Sequence, residues 1–493
     1  MLFEKITPEQ AGISSQNVER LIRFYERNGL AMHSLLFMKG DKLFGEYYWA
    51  PFTADYCHRM YSQTKSYVGV AIGLLLEDGK ITLDDVVADH LKCRIDSEIH
   101  PYSKKQTIRD MLLMTTNHQQ ELWFSTPDMD RTHQYFCTDE ITRPSGTRWA
   151  YDSAGSQVLG TLVEVVTGKS LFDYMYERIF KHLGTFKTAR ILKSSNGDAW
   201  ADSALLCTPR DMMSFARFVM NYGKWEGKQL MSESYLKEAT SAVVSNANTS
   251  FRKYNAYGYG YQIWRHRHGF SFNGLGAQFT FCCPEQDLIM VMTADNCGYG
   301  AEANSIIYTG FEEFIINQIG DKELPTDEKA LNSLKEYTKD LKIPVCMGEK
   351  YMPMQDKING VEYIFEENPR FKKFKLEFDG EGAGKLYYEN AQGEKVLKFK
   401  VGENEFTKFP QLGYVNEYCK IKTTDGYMRD VAVSGGWLDQ SRFMLRVQIV
   451  DHYPGNMSMI FNFKDDYAVM CVEKTAENSF NEYPGQFVGH AKR

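Results

Sequence analysis

MYSQTKSYVGVAIGLLLEDGK, residues 60–80, predicts a buried helix that begins with a serine and a lysine one turn apart. Apolar residues recur at helical spacing through Val68–Leu76, and the Glu-Asp-Gly-Lys sequence after them is typical of a helix end. Ser62 and Lys65 are then at positions i and i+3, so their side chains share one face near the helix N-terminus. The spacing therefore suits a serine nucleophile with a lysine as its base.

The same four-residue spacing occurs at two other places, so the pattern needs its context. Ser234 and Lys237 lie in the polar helical sequence SESYLKEA, and Ser250 and Lys253 lie in NTSFRKYN, which predicts a loop. Neither pair has an apolar helix behind it to hold the two side chains together. The context favours Ser62 as the nucleophile.

Length and charge limit the classes of protein that need to be considered. A chain of 493 residues is too long for one typical core, so two or three domains are expected. A net charge of -7 gives no electrostatic reason to expect a nucleic acid or an anionic membrane as partner. The apolar stretch at residues 68–76 is far shorter than the ~20 residues that cross a bilayer.

The cysteines and the N-terminal sequence indicate the compartment. The ten cysteines form no CxxC pair, and the histidines have no metal-ligand spacing, so neither a metal nor another cofactor is expected. Residues 1–20 lack the basic and apolar regions of a secretory signal. We expect a cytoplasmic protein with reduced thiols.

The order of predicted elements indicates an α+β fold. Residues 33–49 alternate around a Gly-Asp turn and predict a β-hairpin, and residues 81–221 are mostly helical in pattern. Strand patterns return over 257–296, and a closing helix follows at 301–320. His266 and His268 flank a turn in this region and are expected to be solvated. The whole predicts an antiparallel sheet with a long helical insertion.

The C-terminal third has a different pattern. Residues 321–344 are charged and predict a linker with a short polar helix. Short β-type runs separated by turn signals follow over residues 345–493, as in a small barrel or sandwich. We therefore expect a first domain at residues 1–320, the linker, and an all-β accessory domain.

A serine nucleophile needs further groups. Lysine accepts a proton only in its uncharged form, which burial favours. Tyr151, in RWAYDSAG after a turn-like Arg-Pro-Ser-Gly-Thr sequence, is a suitable second proton carrier for the leaving group. An acyl oxyanion also needs two N–H donors, for example one at a helix start and one at a strand edge.

These residues resemble the serine β-lactamase and penicillin-binding-protein superfamily, in its class C β-lactamase, esterase and D-aminopeptidase branch. The family's S-x-x-K motif is similar to Ser62-Gln63-Thr64-Lys65, and its Y-x-N or Y-x-S motif is similar to Tyr151-Asp152-Ser153. The resemblance covers roughly residues 5–318. It extends through longer blocks in the family's order, which are GLLLEDGKITLDDVVADHL, TIRDMLLMTTN, residues 143–184 and PRDMMSFARFVMNYGKW.

The resemblance implies a fold, a reaction and a set of roles. The fold would be β-lactamase/transpeptidase-like, with an antiparallel sheet flanked by helices and a helical subdomain. Ser62, Lys65 and Tyr151 would be catalytic. A K-T-G or H-x-G strand would lie in GFSFNGLGAQFTF, residues 269–281. The residues expected to bind the substrate or the oxyanion are Ser153, Asn273, Gly274 and Leu275, with the Ser62 and Leu275 N–H groups as oxyanion donors.

The chain departs from the family at two of these places. Phe272 stands where the family has Lys or His, and a lysine there helps to bind a substrate carboxylate. Its loss argues against penicillin or D-Ala-D-Ala substrates and favours a neutral ester or amide. Met114, Thr116 and Asn117 also replace the His and Ser-Gly found in many relatives.

The sequence leaves several functions open. We expect a serine hydrolase that acts on a small ester, amide or peptide through an acyl-enzyme. The alternatives are a D-amino-acid amidase or peptidase, a β-lactamase or D-Ala-D-Ala carboxypeptidase, and a binding protein on a catalytically dead scaffold. Whether the chain forms a homo-oligomer stays open.

Overall fold

The computed structural model describes most of the chain. The described residues are 3–118, 130–137, 141–194, 196–247, 253–365, 368, 370–412, 415–416, 421–422, 428–476 and 480–492. By their contacts they form two compact units. The first extends to Lys342 and includes Ile421, and the second contains the remaining residues from Ile343 onward.

A seven-stranded sheet forms the centre of the first unit. Its order is β1-β3-β2-β12-β11-β10-β9, and all neighbours are antiparallel except β1 and β3. The strands of this unit are β1 (Glu4–Lys5), β2 (Met32–Lys39), β3 (Lys42–Tyr48), β4 (His58–Arg59), β5 (Arg190–Ile191), β6 (Leu205–Cys207), β7 (Lys224–Trp225), β8 (Lys228–Gln229), β9 (Trp264–His266), β10 (Gly269–Gly274), β11 (Gln278–Cys283) and β12 (Leu288–Ala294).

Helices flank this sheet and fill the long insertion between β3 and β9. They are α1 (Ser15–Arg27), α2 (Thr64–Glu77), α3 (Val87–His90), α4 (Ile108–Leu112), α5 (Arg131–Phe136), α6 (Ser153–Thr167), α7 (Leu171–Met175), α8 (Lys181–Leu183), α9 (Pro209–Met220), α10 (Glu233–Ala239), α11 (Gly300–Phe311) and α12 (Glu328–Thr338). Helix α9 packs on β2, β11 and β12, and α2 packs on α6. The helices of the insertion thereby pack into the same hydrophobic core as the sheet.

Helix α2 is buried on all sides, from Thr64 to Leu75. Two glycines permit this. A Cβ at Gly69 would lie 2.5 Å from the carbonyl oxygen of Tyr261, and one at Gly73 would lie 2.3 Å from the ring of Tyr235. Glycine in a helix costs about 1 kcal/mol relative to alanine. The close contacts with neighbouring segments explain why glycine stands here.

Helix α12 packs against α1 through one side. Leu331 and Leu334 are its buried residues. The guanidinium of Arg23 on α1 lies 3.5 Å from the centroid of the Tyr337 ring, and the Tyr337 hydroxyl donates to Glu26. The polar helix in the predicted linker is therefore held by specific contacts with the first unit.

The second unit is a closed barrel. Ten strands follow one another in the order β16-β15-β14-β13-β24-β23-β22-β21-β20-β17, and β16 also pairs with β20, which closes the sheet. After helix α13 (Met354–Ile358), the barrel strands are β13 (Glu362–Phe365), β14 (Phe371–Phe378), β15 (Ala383–Asn390), β16 (Gly393–Val401), β17 (Glu405–Leu412), β20 (Met428–Trp437), β21 (Arg442–Ile449), β22 (Asn456–Lys464), β23 (Tyr467–Lys474) and β24 (Gly485–Ala491). The short strands β18 (Val415–Asn416) and β19 (Ile421–Lys422) pair with each other in a separate two-stranded sheet.

Alternation of side chains builds the barrel core. Along β14, Phe374, Leu376 and Phe378 are buried, while Lys375 and Glu377 between them are partly exposed. Strand residues point alternately to the two faces of a sheet, so this pattern gives an apolar lumen and a polar outer face. The lumen is filled by side chains from all around the barrel.

The predicted fold class is confirmed. The first unit has the antiparallel sheet, the hairpin and the helical insertion that the sequence indicates, and the C-terminal strands form a barrel rather than a sandwich. Within the described part of the chain, no helix combines the length and the apolar character that crossing a bilayer requires.

The prediction that His266 is solvated is wrong. His266 is buried under aromatic rings from β11 and α11, while His268 is partly exposed and contacts Glu312. The His266 Nε2–H donates to the Phe270 carbonyl at 3.0 Å, and Nδ1 accepts from the His268 N–H at 3.3 Å. These two bonds fit the neutral ring, and burial lowers its pKa to about 3.

Acidification should therefore lower the free energy of unfolding through His266. The unfolded side chain binds a proton below its usual pKa of about 6.5. The contribution is complete above that pH and is lost as the pH falls toward the folded pKa of about 3. At about pH 5 the loss is about 2 kcal/mol. The free energy of unfolding, measured with urea at about pH 7 and at about pH 5, should fall less between these pH values in His266→Gln than in wild type, by about 2 kcal/mol. Equal decreases in the two proteins would contradict the low pKa assigned to His266.

Candidate active site

The candidate nucleophile lies in a tight turn directly before α2. Tyr61–Gln63 form one 3₁₀ turn, in which Ser62 is partly exposed. Tyr61 has a φ of 48°, in the left-handed region that a bulky residue rarely adopts. Such strain persists only where surrounding contacts impose it, and it is frequent at functional sites. The backbone conformation of Tyr61 sets the orientation of the next residue, Ser62.

Arg59 supplies part of this support. Its guanidinium is buried between the rings of Tyr61 and Trp200, 4.3 Å and 4.1 Å from their centroids. Its Nε donates to the Ser203 carbonyl at 2.8 Å and one Nη to the Ser203 hydroxyl at 2.9 Å. Arg59 therefore ties the turn before Ser62 to the segment that precedes β6.

Lys65 turns its amine toward Ser62 inside the protein. The side chain is 2% exposed, and Nζ lies 3.1 Å from Ser62 Oγ. Nζ also donates to the Asp202 carbonyl oxygen at 2.8 Å, and the Asp202 carboxylate lies 3.8 Å away. The serine and lysine that the sequence singles out are thus in direct hydrogen-bond contact.

Asp202 and Arg131 are part of this site, although no sequence motif indicates them. Arg131 Nη1 on α5 lies 3.5 Å from Asp202 Oδ1, and each of the two side chains is 4% exposed. Together with Lys65 they form a buried row of an amine, a carboxylate and a guanidinium. Taking charges out of water is costly, so each member depends on its neighbours. The residues around Asp202 in the sequence form no motif, so the sequence indicates its place in the site only weakly.

Tyr151 also lies close to the Lys65 amine. The centroid of its ring lies 5.1 Å from Lys65 Nζ, and the ring stacks on Trp264 with centroids 5.6 Å apart. The next residue, Asp152, accepts from the Gly155 N–H and caps α6, and Ser153 is the first, buried residue of that helix. The helix cap thus fixes the position of the chain at Tyr151.

The end of β10 lies against the nucleophile turn. A Cβ on Gly274 would lie 2.1 Å from the carbonyl oxygen of Met60, so only glycine permits this approach. Leu275 follows the strand and is 42% exposed. Asn273 is buried and donates from Nδ2 to Asn255 Oδ1 at 3.3 Å. Gly274 thus brings the strand end to the residues that precede Ser62.

Phe272 is part of the hydrophobic core. It is fully buried, and its ring centroid lies 5.7 Å from that of Phe215 on α9 and 5.9 Å from that of Phe270. A charged side chain at this position would have to lie among apolar groups, which is costly without a partner. The strand therefore offers no cation from position 272 to a substrate.

The predicted residues fall into three groups. Ser62, Lys65 and Tyr151 meet around one amine, and Gly274 contacts the turn that carries Ser62. Ser153 and Asn273 are buried in neighbouring elements. Next to Tyr151, the ring of Trp149 packs against that of Trp264, with centroids 5.6 Å apart.

The sequence profile of the β-lactamase family matches residues 16–304, more than half of the chain. This chain belongs to the β-lactamase family. The match includes α2, the Tyr151 segment and β10, so every predicted site residue of this family member lies within it. The matched region ends before the C-terminal barrel.

Individual relatives of this β-lactamase-family chain are distant. The 6-aminohexanoate-dimer hydrolase of Paenarthrobacter ureafaciens is 23% identical over 44% of this chain and 59% of its own length. Penicillin-binding protein 4 of Amycolatopsis lactamdurans is 24% identical over 46% of this chain and 69% of its own length. The chain spans less than two thirds of the first curated relatives that it matches.

A solved structure shares the fold of the first unit. A Bacillus anthracis protein, named provisionally as a 6-aminohexanoate-dimer hydrolase, superposes with a TM-score of 0.52 at 19% identity and covers 64% of this chain and 87% of its own. At this identity the likeness supports the fold and says nothing further about the reaction.

The buried charge row predicts a large effect of Asp202→Asn on stability. The variant keeps the backbone carbonyl that accepts from Lys65 but leaves Lys65 and Arg131 without their carboxylate. Removing one partner of a buried pair costs about 3–5 kcal/mol. Urea unfolding near neutral pH should show a loss of this size.

Asp84→Asn is the matched control for this measurement. Asp84 pairs with Arg109, but its side chain is 81% exposed, so its loss should have little effect. A free energy of unfolding of Asp202→Asn close to that of the control would show that the buried row is not an energetic unit.

Proposed function

We propose that this β-lactamase-family protein is a serine hydrolase that uses Ser62 as its nucleophile. The contact of 3.1 Å between Lys65 Nζ and Ser62 Oγ, inside a buried site, is the observation that carries the proposal. A base must lie within hydrogen-bond reach of the proton that it removes, and this pair meets that condition. The family match supports hydrolysis as the reaction class.

The reaction would proceed in two halves. Ser62 Oγ attacks the substrate carbonyl carbon as its proton moves to Lys65 Nζ, and the resulting oxyanion accepts hydrogen bonds from the Ser62 and Leu275 N–H groups. The bond to the leaving group then breaks as Tyr151 gives its proton to that group, and Tyr151 regains a proton from Lys65 Nζ. In the second half water attacks the acyl-enzyme ester and gives a proton to Lys65, which passes it to Ser62 Oγ as the acid leaves, so the Ser62 hydroxyl is restored.

Asp202 would hold the base in place. Its backbone carbonyl, 2.8 Å from Lys65 Nζ, is an acceptor that keeps the amine near Ser62 during both halves of the reaction. Trp264, stacked on Tyr151, would hold the phenol ring against the amine in a similar way. Positioning of this kind lowers the entropy that the reaction itself must lose.

A neutral ester or small amide is the substrate class that we favour. Phe272 fills the position from which a cation would bind a substrate carboxylate, and it is buried in the core. A second candidate is amide hydrolysis of a short linear substrate, which the name of the Paenarthrobacter relative favours. A D-amino-acid amidase would be one form of it.

We further propose a cytoplasmic location. The buried residues Cys207, Cys282 and Cys283 are free thiols, as expected in a reducing compartment.

Covalent labelling tests the nucleophile. A fluorophosphonate probe should label the wild-type protein, and Ser62→Ala should abolish both labelling and ester turnover. Ser234→Ala removes a serine with the same spacing to a lysine, so it should label like wild type. Mass spectrometry of the labelled peptide identifies the modified residue. Undiminished labelling of Ser62→Ala would exclude the proposed nucleophile.

Substrate preference tests the role assigned to position 272. Turnover of p-nitrophenyl esters and of uncharged anilides should exceed that of nitrocefin, whose carboxylate lacks a cationic partner here. A missing charge-assisted hydrogen bond costs about 1.5–3 kcal/mol, which is about 10–100-fold in kcat/KM. Comparison of kcat/KM across the panel measures the difference. Nitrocefin turnover equal to the best ester would contradict the assignment.

A further inference from the structure

Three side chains of metal-binding type meet near the surface of the first unit. The ligand atoms of Asp96, His133 and Cys137 all lie within 4.8 Å of one another. His133 Nε2 is 2.8 Å from Asp96 Oδ1. Asp96 is exposed and the other two are partly buried, so solvent and ions reach the group. Elsewhere in the described residues no second group of this kind occurs.

The fold assembles this group from two segments. His133 on α5 and Cys137, the residue that caps the C-terminus of α5, are four positions apart, and the Cys137 N–H donates to the His133 carbonyl at 2.9 Å. Side chains at i and i+4 share one face of a helix. Asp96 comes from the segment after α3, distant in sequence, which is why the histidine and cysteine spacings did not indicate a metal.

Neighbouring groups support the three side chains. The Ser97 hydroxyl donates to Cys137 Sγ at 3.2 Å. Asp130 caps α5 and accepts from the His133 N–H at 3.1 Å, while Arg94 donates to the other Asp130 oxygen at 2.7 Å. Metal sites in proteins are held by such outer hydrogen bonds to the ligands and to the elements that carry them.

We propose that Asp96, His133 and Cys137 bind a zinc-type divalent cation. A thiolate, an imidazole and a carboxylate are the ligands that Zn²⁺ uses in proteins, at about 2.0–2.3 Å. Tetrahedral geometry at those lengths places ligand atoms roughly 3.3–3.6 Å apart. The three ligand atoms lie within 4.8 Å of one another. Small side-chain rotations would therefore bring them to the distances of a bound ion.

Binding changes the protonation of two ligands. The Cys137 thiol loses its proton to water as the sulfur–zinc bond forms. His133 gives up the Nε2 proton that it donates to Asp96 and keeps the neutral ring's proton on Nδ1, so Zn²⁺ binds Nε2 in place of that hydrogen bond. Water completes the fourth position, because the protein supplies three ligands. The bound ion joins the end of α5 to the segment of Asp96. It is a site distinct from Ser62, and its existence does not depend on the proposed hydrolysis.

Zinc titration of the chelator-treated protein tests this site. A chromophoric chelator that competes for Zn²⁺ reports the number of bound ions and their affinity, and Co²⁺ in place of Zn²⁺ reports a cobalt–thiolate absorption band. Wild type should bind one Zn²⁺ and show this band. Losing an outer partner of a metal ligand costs about 10–100-fold in affinity, so losing a ligand in Cys137→Ser or His133→Ala should cost at least that much.

Two control variants match these substitutions. His90→Ala breaks a surface His–Asp pair, with Asp85 at 2.9 Å, that has no third ligand in the part of the chain that the structure describes. Cys93→Ser removes an exposed thiol. Both should bind Zn²⁺ like wild type. The site would be refuted if wild type bound no Zn²⁺, or if Cys137→Ser and His133→Ala kept wild-type affinity. Circular dichroism of each variant confirms its folding.

Discussion

The hydrogen bond between the buried Lys65 amine and the Ser62 hydroxyl is the contact on which the remaining site depends. A lysine that is 2% exposed must have its amine satisfied inside the protein, and Ser62 and the Asp202 carbonyl do this. The Asp202 carboxylate and Arg131 add a buried ion pair. The arrangement therefore costs desolvation energy, which the family fold offsets through packing and hydrogen bonds elsewhere.

The surroundings keep this arrangement in one geometry. Arg59 ties the strained Tyr61 to Ser203, one residue after Asp202, so the base and the nucleophile are fixed to a common frame. Gly274 lets a strand end approach the same turn. Arg59 and Gly274 come from different parts of the chain. A substitution at either one would weaken the geometry around Ser62 and leave the Ser62–Lys65 spacing intact.

Much of the fold was predictable because it is local. The apolar period of α2, the Gly-Asp turn between β2 and β3 and the alternation along β14 are set by neighbouring residues. The failure at His266 has the opposite origin. Its own sequence, Arg-His-Arg-His-Gly, is that of an exposed turn, but aromatic rings of β11 and α11 cover this ring, and no local pattern contains them.

The sequence by itself determined the fold class, the family and the identity of Ser62, Lys65 and Tyr151 as candidates, since motif spacing and hydrophobic period are properties of consecutive residues. Only the tertiary structure decided which distant groups join them. Asp202 reaches Lys65 across 137 positions, and Asp96 reaches His133 across 37. Contacts between groups so far apart in sequence depend on how the chain packs, and the residues around each group carry no sign of its partner.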